Sequence, residues 1–244
     1  MKPGFLLIIV LIPTLSATAA TRFEFSGTAA SGGTELYTEF HQVQGTCSDG
    51  QFAPKEHRVS YQRAGSDSLF AEKHLSYGEA PFTPSVSFRQ PDFSEQLDID
   101  YPNESEISIR WQAPESAPVA YELSRVNNLV VDAGFDHFVR ANWAALNAGE
   151  SLSFQFLAPT RGEHYEFTLE PISTGRLDAD LEVQIRPAGL LLRFLVDPIL
   201  LGYRADGALT HYLGLTNIRK NTDTNHTAHI RYQVLQLPNC ELTR

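Results

Sequence analysis

The sequence predicts a mainly β protein, a curved antiparallel meander that forms a half-barrel or open barrel with one amphipathic helix packed on it. Three observations lead to this prediction. Apolar and polar residues alternate along many short runs, turn residues separate these runs, and one segment has the three-and-four spacing of a helix.

The alternating runs predict strands with one apolar and one solvated face. Leu97, Ile99 and Tyr101 alternate with Asp98 and Asp100, and a period of two places each set on one face of a strand. This pattern is typical of antiparallel meanders and not of a parallel α/β sheet. Similar runs begin at Phe23, Val59, Ile107, Val119, Leu152, Tyr165 and Leu181.

Turn signals fall between these runs. Two such signals are Gly32-Gly33 and Arg161-Gly162, each of which lies between two alternating runs. Asp206-Gly207 lies between Leu200–Tyr203 and Leu209–Tyr212, a spacing that predicts a hairpin. No fixed-period repeat is present, which argues against a propeller or a solenoid.

The segment from Asp132 to Ala148 predicts the helix. Its apolar residues Phe135, Phe138, Val139, Trp143 and Leu146 recur three and four positions apart. Asp132 is the expected N-cap, and Gly149 follows the expected end.

The N-terminal residues 1–20 predict a secretory signal peptide. Lys2 precedes an apolar run that is too short to span a bilayer, and small residues ending in Ala19-Ala20 follow it. The alternative is an uncleaved anchor, but Pro13 interrupts the run early. We therefore expect residues 21–244 to form a single β-rich domain in the periplasm.

Charge and cysteine content narrow the class of protein. The formal charge is −10, and an acidic chain is a poor partner for nucleic acid or anionic membrane surfaces. The two cysteines, Cys47 and Cys240, have no C-x-x-C spacing that would indicate a metal or redox pair. In an oxidising compartment we expect them to form one disulfide.

Residues 188–202 are the most apolar stretch after the predicted signal peptide. Arg193, Asp197 and Pro198 interrupt this stretch, so we do not expect it to span a membrane. It predicts either two core strands joined at Asp197-Pro198 or an apolar loop at the mouth of a cavity or against lipid.

Catalytic motifs such as G-x-S-x-G, H-E-x-x-H and the P-loop are absent from the sequence, and we expect no cofactor. We also expect no metal site, because His226 and His229 would point to opposite faces of a strand, although His211 could approach from a neighbouring strand.

Four residues are predicted to line a ligand pocket, namely Arg161, Asn217, Tyr212 and Trp143. Arg161 and Asn217 are polar residues within apolar or constrained segments, where a few polar groups fix a ligand's orientation. The alternatives are a solvent-facing turn residue for Arg161, a turn or bulge residue for Asn217, and simple helix capping for Asp132.

Several segments carry a resemblance, namely residues 131–143 and 156–161, Tyr203 and residues 209–218, with Phe25–Ala29 and Tyr37–Glu39 near the start. Together they resemble a group of uncharacterised exported proteins of Gram-negative bacteria. This resemblance implies no activity. More distantly, the plan resembles the open half-barrels of periplasmic lipoprotein carriers, which hold acyl chains in an apolar concavity, although here only one helix is predicted to fill it.

These observations favour a non-enzymatic periplasmic carrier of an apolar or amphiphilic, lipid-like ligand. An envelope protein-interaction or assembly factor is the alternative, with a sheet edge or an apolar loop as its contact. A hydrolase or other enzyme with a site assembled from distant residues is the third hypothesis.

Overall fold

Fifteen strands and two short helices make up the fold, and this computed structural model describes residues 20–189 and 197–243. The strands are β1 (Ala20–Ser31), β2 (Thr34–Ser48), β3 (Gln51–Arg63), β4 (Leu69–Ser76), β5 (Ser85–Gln90), β6 (Glu95–Asp100), β7 (Glu106–Gln112), β8 (Val119–Ser124), β9 (Leu129–Val130), β10 (Leu152–Ala158), β11 (Glu163–Ile172), β12 (Leu181–Pro187), β13 (Ile199–Tyr203), β14 (Leu209–Arg219) and β15 (Asn225–Gln236). The helices are α1 (Gly134–Ala141) and α2 (Trp143–Asn147), and a 3-10 helix spans Pro91–Phe93.

All fifteen strands belong to one curved, open sheet. Its order is β8-β7-β6-β5-β4-β3-β2-β1-β15-β14-β13-β12-β11-β10-β9, so two meanders join where β1 pairs with β15. The pairings are antiparallel except between β9 and β10. This confirms the predicted fold class and the Asp206-Gly207 hairpin, which links β13 to β14.

Curvature brings the two edges of the sheet close together. Leu157 of β10 packs in one apolar cluster with Ile107 and Ile109 of β7. Gly162, in the β10–β11 turn, faces the ring of Tyr121 in edge strand β8 so closely that a Cβ there would lie 2.3 Å from the ring. The edge strands β8 and β9 do not pair, so the sheet stays open.

The helices lie in the concavity, where aromatic contacts fix them. Phe138 of α1 packs on Phe154 of β10 at 5.2 Å between ring centroids, and the ring of His137 lies 5.0 Å from that of Tyr77. At the end of α1, Arg140 donates to the carbonyl of Gly207 at 2.9 Å. The helix packed on the sheet is therefore confirmed, as one amphipathic helix followed by a short second one.

Two details of the predicted helix are wrong. The segment bends at Asn142 into α1 and α2, and the N-cap position is Ala133. Asp132 has a left-handed backbone (φ 44°), and its carboxylate pairs with a lysine of β4 instead of capping the helix. Gly149 does follow the helical segment, with φ 87°.

Because connections alternate in a meander, the two ends of the strands differ. We call the end with the turns at residues 32–33, 64–68, 91–94, 113–118, 159–162 and 220–224 the open end. The opposite, closed end holds the C-terminus of α1 and the Cys47–Cys240 disulfide, with its Cα atoms 5.9 Å apart. This confirms the predicted disulfide.

Two predictions fall partly outside the described residues. Residues 1–19 of the predicted signal peptide lie outside them, and Ala20 begins β1. Residues 190–196 of the apolar stretch also lie outside them, whereas Ile199–Gly202 are in β13. Within the described part of the chain, no helix is both long enough and apolar enough to cross a membrane.

Candidate functional site

A small cavity opens between strands at the open end. Its volume is about 150 Å³, close to that of an engineered protein cavity that binds benzene. Half of its ten lining residues are apolar and half are polar, so its surface is amphipathic. The apolar residues are Leu36, Tyr37, Phe70, Phe93 and Ile218, and the polar ones are Arg63, Asp92, Arg219, Lys220 and His226.

Aromatic packing forms the inner wall of this cavity. The ring of Tyr37, a buried residue of β2, lies edge-on to Phe70 with 6.1 Å between centroids and to Tyr61 with 6.0 Å. The guanidinium of Arg63 lies 4.7 Å from the Phe70 centroid, within cation–π range. These contacts hold the wall rigid, which favours a preformed site.

A charge clamp closes one side of the cavity. The guanidinium of Arg219 binds both carboxylate oxygens of Glu95, at 2.8 and 2.6 Å, and Gln90 donates to Glu95 at 2.7 Å. This clamp joins β14 to β5 and β6 across the concavity. Lys220 beside it is exposed, and its ammonium group makes no hydrogen bond with a described residue, so it is free for a ligand.

An ion pair lies deeper in the concavity, at the N-terminal side of α1. The ammonium of Lys73 donates to both carboxylate oxygens of Asp132, at 2.9 and 2.8 Å, and Asn217 donates to the same carboxylate at 3.2 Å. Lys73 is 6% exposed. Asp132 therefore keeps its left-handed backbone because a buried cation and the segment before α1 hold it there.

A buried chain of polar side chains follows the inner face towards the closed end. Tyr232 donates to Glu39 at 2.5 Å, Glu39 lies 3.2 Å from His41, and His41 lies 2.9 Å from His57. Burial lowers the pKa of His57 well below 6.5, and the positive charges of Lys73 and Arg140 lower it further. This ring is therefore neutral near pH 7 and serves as a hydrogen-bonding group.

Sequence reasoning missed this polar interior, although a signal for it was present. Glu39 and His41 stand at the same parity in β2 as the buried Tyr37 and Val43. Lys73 likewise falls between Ala71 and Leu75, which are buried positions of β4. Polar residues at apolar positions of an alternating run indicate inward-facing hydrogen-bonding groups.

The four predicted ligand residues lie at separate places. Asn217 lies beside Asp132, in the part of β14 where a bulge shifts the register, and Tyr212 of the same strand packs near Phe135 of α1 at 6.4 Å. Arg161 is exposed in the β10–β11 turn. Trp143 begins α2 and packs on Tyr203 at the closed end. Their joint role in binding stays a prediction.

Among the described residues, no group of three or more His, Cys, Asp or Glu side chains is arranged to hold a metal ion. His211 does approach His229, with 5.3 Å between ring centroids. His226 lies instead beside Tyr37, at 6.4 Å, in keeping with its opposite orientation on β15.

Comparison with models of protein families and with curated proteins finds no match for this chain. The resemblance to exported bacterial proteins and to lipoprotein carriers therefore stays a prediction.

Proposed function

We propose that this is an exported, non-catalytic binding protein that takes up one end of an amphiphilic ligand in the cavity at the open end. The amphipathic lining of that cavity carries the proposal, because apolar and charged residues together line one small space. An apolar wall with a few charged groups is the usual composition of a ligand site.

The size of the cavity limits which part of a ligand is enclosed. Drug-sized ligands occupy roughly 300–1,000 Å³, whereas this cavity measures about 150 Å³. The interior below it is filled by α1 and by the buried polar chain. The proposed ligand therefore places a ring or a short chain against Tyr37 and Phe70, with its anionic group near Lys220 and the rest outside.

The test is a titration of the purified protein with an anionic naphthalene-sulfonate dye, followed by displacement with carboxylates from butyrate to decanoate. We expect saturable fluorescence that short-chain carboxylates displace. The substitution Leu36→Trp fills the cavity from a half-buried position and should abolish the signal. Leu215→Trp, at a residue 57% exposed and not part of the lining, is the matched control and should bind normally. Equal binding by both variants would contradict the proposal.

A second candidate is an envelope protein-interaction or assembly factor that pairs through edge strand β8. This strand has six residues and one neighbour, β7, so one row of its backbone groups lacks a strand partner. A photo-crosslinking residue at the exposed Ala120 should trap one dominant partner in cells. The same residue at Glu72, an exposed position of the interior strand β4, should trap none.

A further inference from the structure

We infer that the closed end carries a second binding surface, an acidic groove that accepts a basic, extended segment of a partner protein. The groove has a volume of about 890 Å³ and lies between the C-terminal residues 237–243, the β2–β3 turn and the β13–β14 turn. Its place at the opposite end of the strands separates it from the proposed ligand cavity, and it shares no lining residue with that cavity.

The charge of this groove indicates the chemistry of its occupant. Three carboxylates line it, those of Asp49, Asp206 and Glu241, and none of the described residues that line it is a lysine, an arginine or a histidine. Asp206 is paired with Arg204, outside the lining, which leaves Asp49 and Glu241 exposed at its rim. A groove lined by one sign of charge attracts the opposite sign, so the occupant carries Lys or Arg.

An apolar patch at the groove indicates that the occupant is also partly apolar. Leu237 lines the groove and is 43% exposed, and Leu235, two residues earlier in the chain, is 57% exposed. Large exposed leucines that stand close together are typical of contact surfaces. A segment in which cations alternate with apolar side chains satisfies both features, because an extended chain turns alternate side chains to opposite sides.

The walls of the groove are fixed before anything binds. Glu241 donates its backbone N–H to Gly50 at 2.9 Å and accepts from Phe52 at 2.8 Å, while Asn239 donates to the Thr21 hydroxyl at 3.0 Å. The Cys47–Cys240 disulfide ties the same segment to β2, and the side chain of Leu242 is buried in an apolar cluster with Phe23 and Phe25. A rigid groove loses little conformational entropy on binding, which favours affinity.

The experiment is fluorescence anisotropy with a labelled six-residue peptide in which lysine and leucine alternate, added to the intact disulfide-bonded protein. A peptide with glutamate in place of lysine is the control probe. We expect saturable binding of the lysine peptide that weakens as salt rises from 50 to 200 mM, since its ion pairs are partly exposed. The glutamate peptide should not bind.

Charge-neutralising variants then locate the site. Asp49→Asn with Glu241→Gln should weaken the lysine peptide by about tenfold, the combined effect expected for two partly exposed ion pairs. Glu115→Gln with Asp223→Asn removes the same charge from two open-end turns and should bind as the parent does. An equal Kd for both double variants, or equal binding of both peptides, overturns the proposal. Sedimentation that shows a second copy of the chain competing with the peptide also overturns it.

Discussion

Lys73 and Asp132, 59 residues apart in the chain, form a buried two-pronged ion pair, with the ammonium 2.9 and 2.8 Å from the two carboxylate oxygens. The pair joins β4 to the segment that precedes α1, so it fixes the position of the helix in the concavity. Both partners are largely removed from solvent, since the lysine side chain is 6% exposed and the aspartate side chain is 12% exposed.

Replacement Lys73→Met should lower the free energy of unfolding by about 3–5 kcal/mol, because the Asp132 carboxylate then stays buried without its cation. Urea denaturation measures this change. Arg110→Met is the matched control, since Arg110 pairs with Asp100 at 3.6 Å with both side chains more than half exposed. That substitution should cost less than about 1 kcal/mol. Similar costs for the two variants would mean that the buried pair contributes little.

The strands could be predicted from the sequence because burial on one face imposes the period of two. Phe23 and Phe25, or Ile107 and Ile109, are buried as their parity predicts. Alternation does not report which residues meet across the concavity. It therefore left open whether the strands before and after the predicted helix belong to one sheet, which depends on the pairing of β1 with β15.

The candidate site was harder to predict, because it depends on contacts between distant residues. Asp132 carries the local signature of a helix cap, and the local sequence does not show that Lys73 lies beside it. Asn217 reaches Asp132 where a register shift in β14 interrupts the alternation. The cavity itself was beyond prediction, since periodicity reports burial and not unfilled space.

Removal of the disulfide should destabilise the protein by as much as about 5 kcal/mol. The bridge closes a loop between residues 193 positions apart. In the chain-entropy model such a long loop greatly lowers the conformational entropy of the unfolded chain and so stabilises the native state. Urea denaturation of Cys47→Ser, Cys240→Ser and the double variant measures the effect. The three variants should be equally unstable, and reductant should affect only the parent. A reductant-insensitive parent would contradict the prediction.

Acidification should destabilise the protein through its buried histidines. Burial, with nearby cations, lowers the pKa of His57 and His137 well below 6.5. Below pH 6.5 the unfolded chain therefore binds more protons than the native one, and the free energy of unfolding decreases as the pH is lowered, whereas above pH 6.5 these residues add no pH dependence. Each such histidine contributes a slope of about 1.4 kcal/mol per pH unit between its native and unfolded pKa values.

The substitution His57→Gln tests this assignment. Urea denaturation between pH 5 and 8 should show a slope below pH 6.5 that is smaller by about one proton than that of the parent. Tyr77→Phe is the control, because Tyr77 contacts His57 at 3.4 Å but its hydroxyl pKa is raised well above 10. It should lower stability by a constant amount at every pH. An unchanged slope in His57→Gln would show that His57 does not carry the effect.

The contact between the two edges of the sheet can be tested with a pair of glycines. Gly162 and Gly175 have nearly equal φ angles, 62° and 61°, so an alanine at either position carries a similar cost for its left-handed φ. A Cβ at Gly162 would lie 2.3 Å from the ring of Tyr121, whereas nothing lies within 4 Å of one at Gly175. Gly162→Ala should therefore destabilise the protein by about 1–3 kcal/mol more than Gly175→Ala, the usual cost of overpacking.

Adding Tyr121→Ala to each variant separates the steric effect from the backbone cost, since removal of the ring should make the two alanines equivalent. A difference that persists without Tyr121 would mean that the β10–β11 turn does not press on β8.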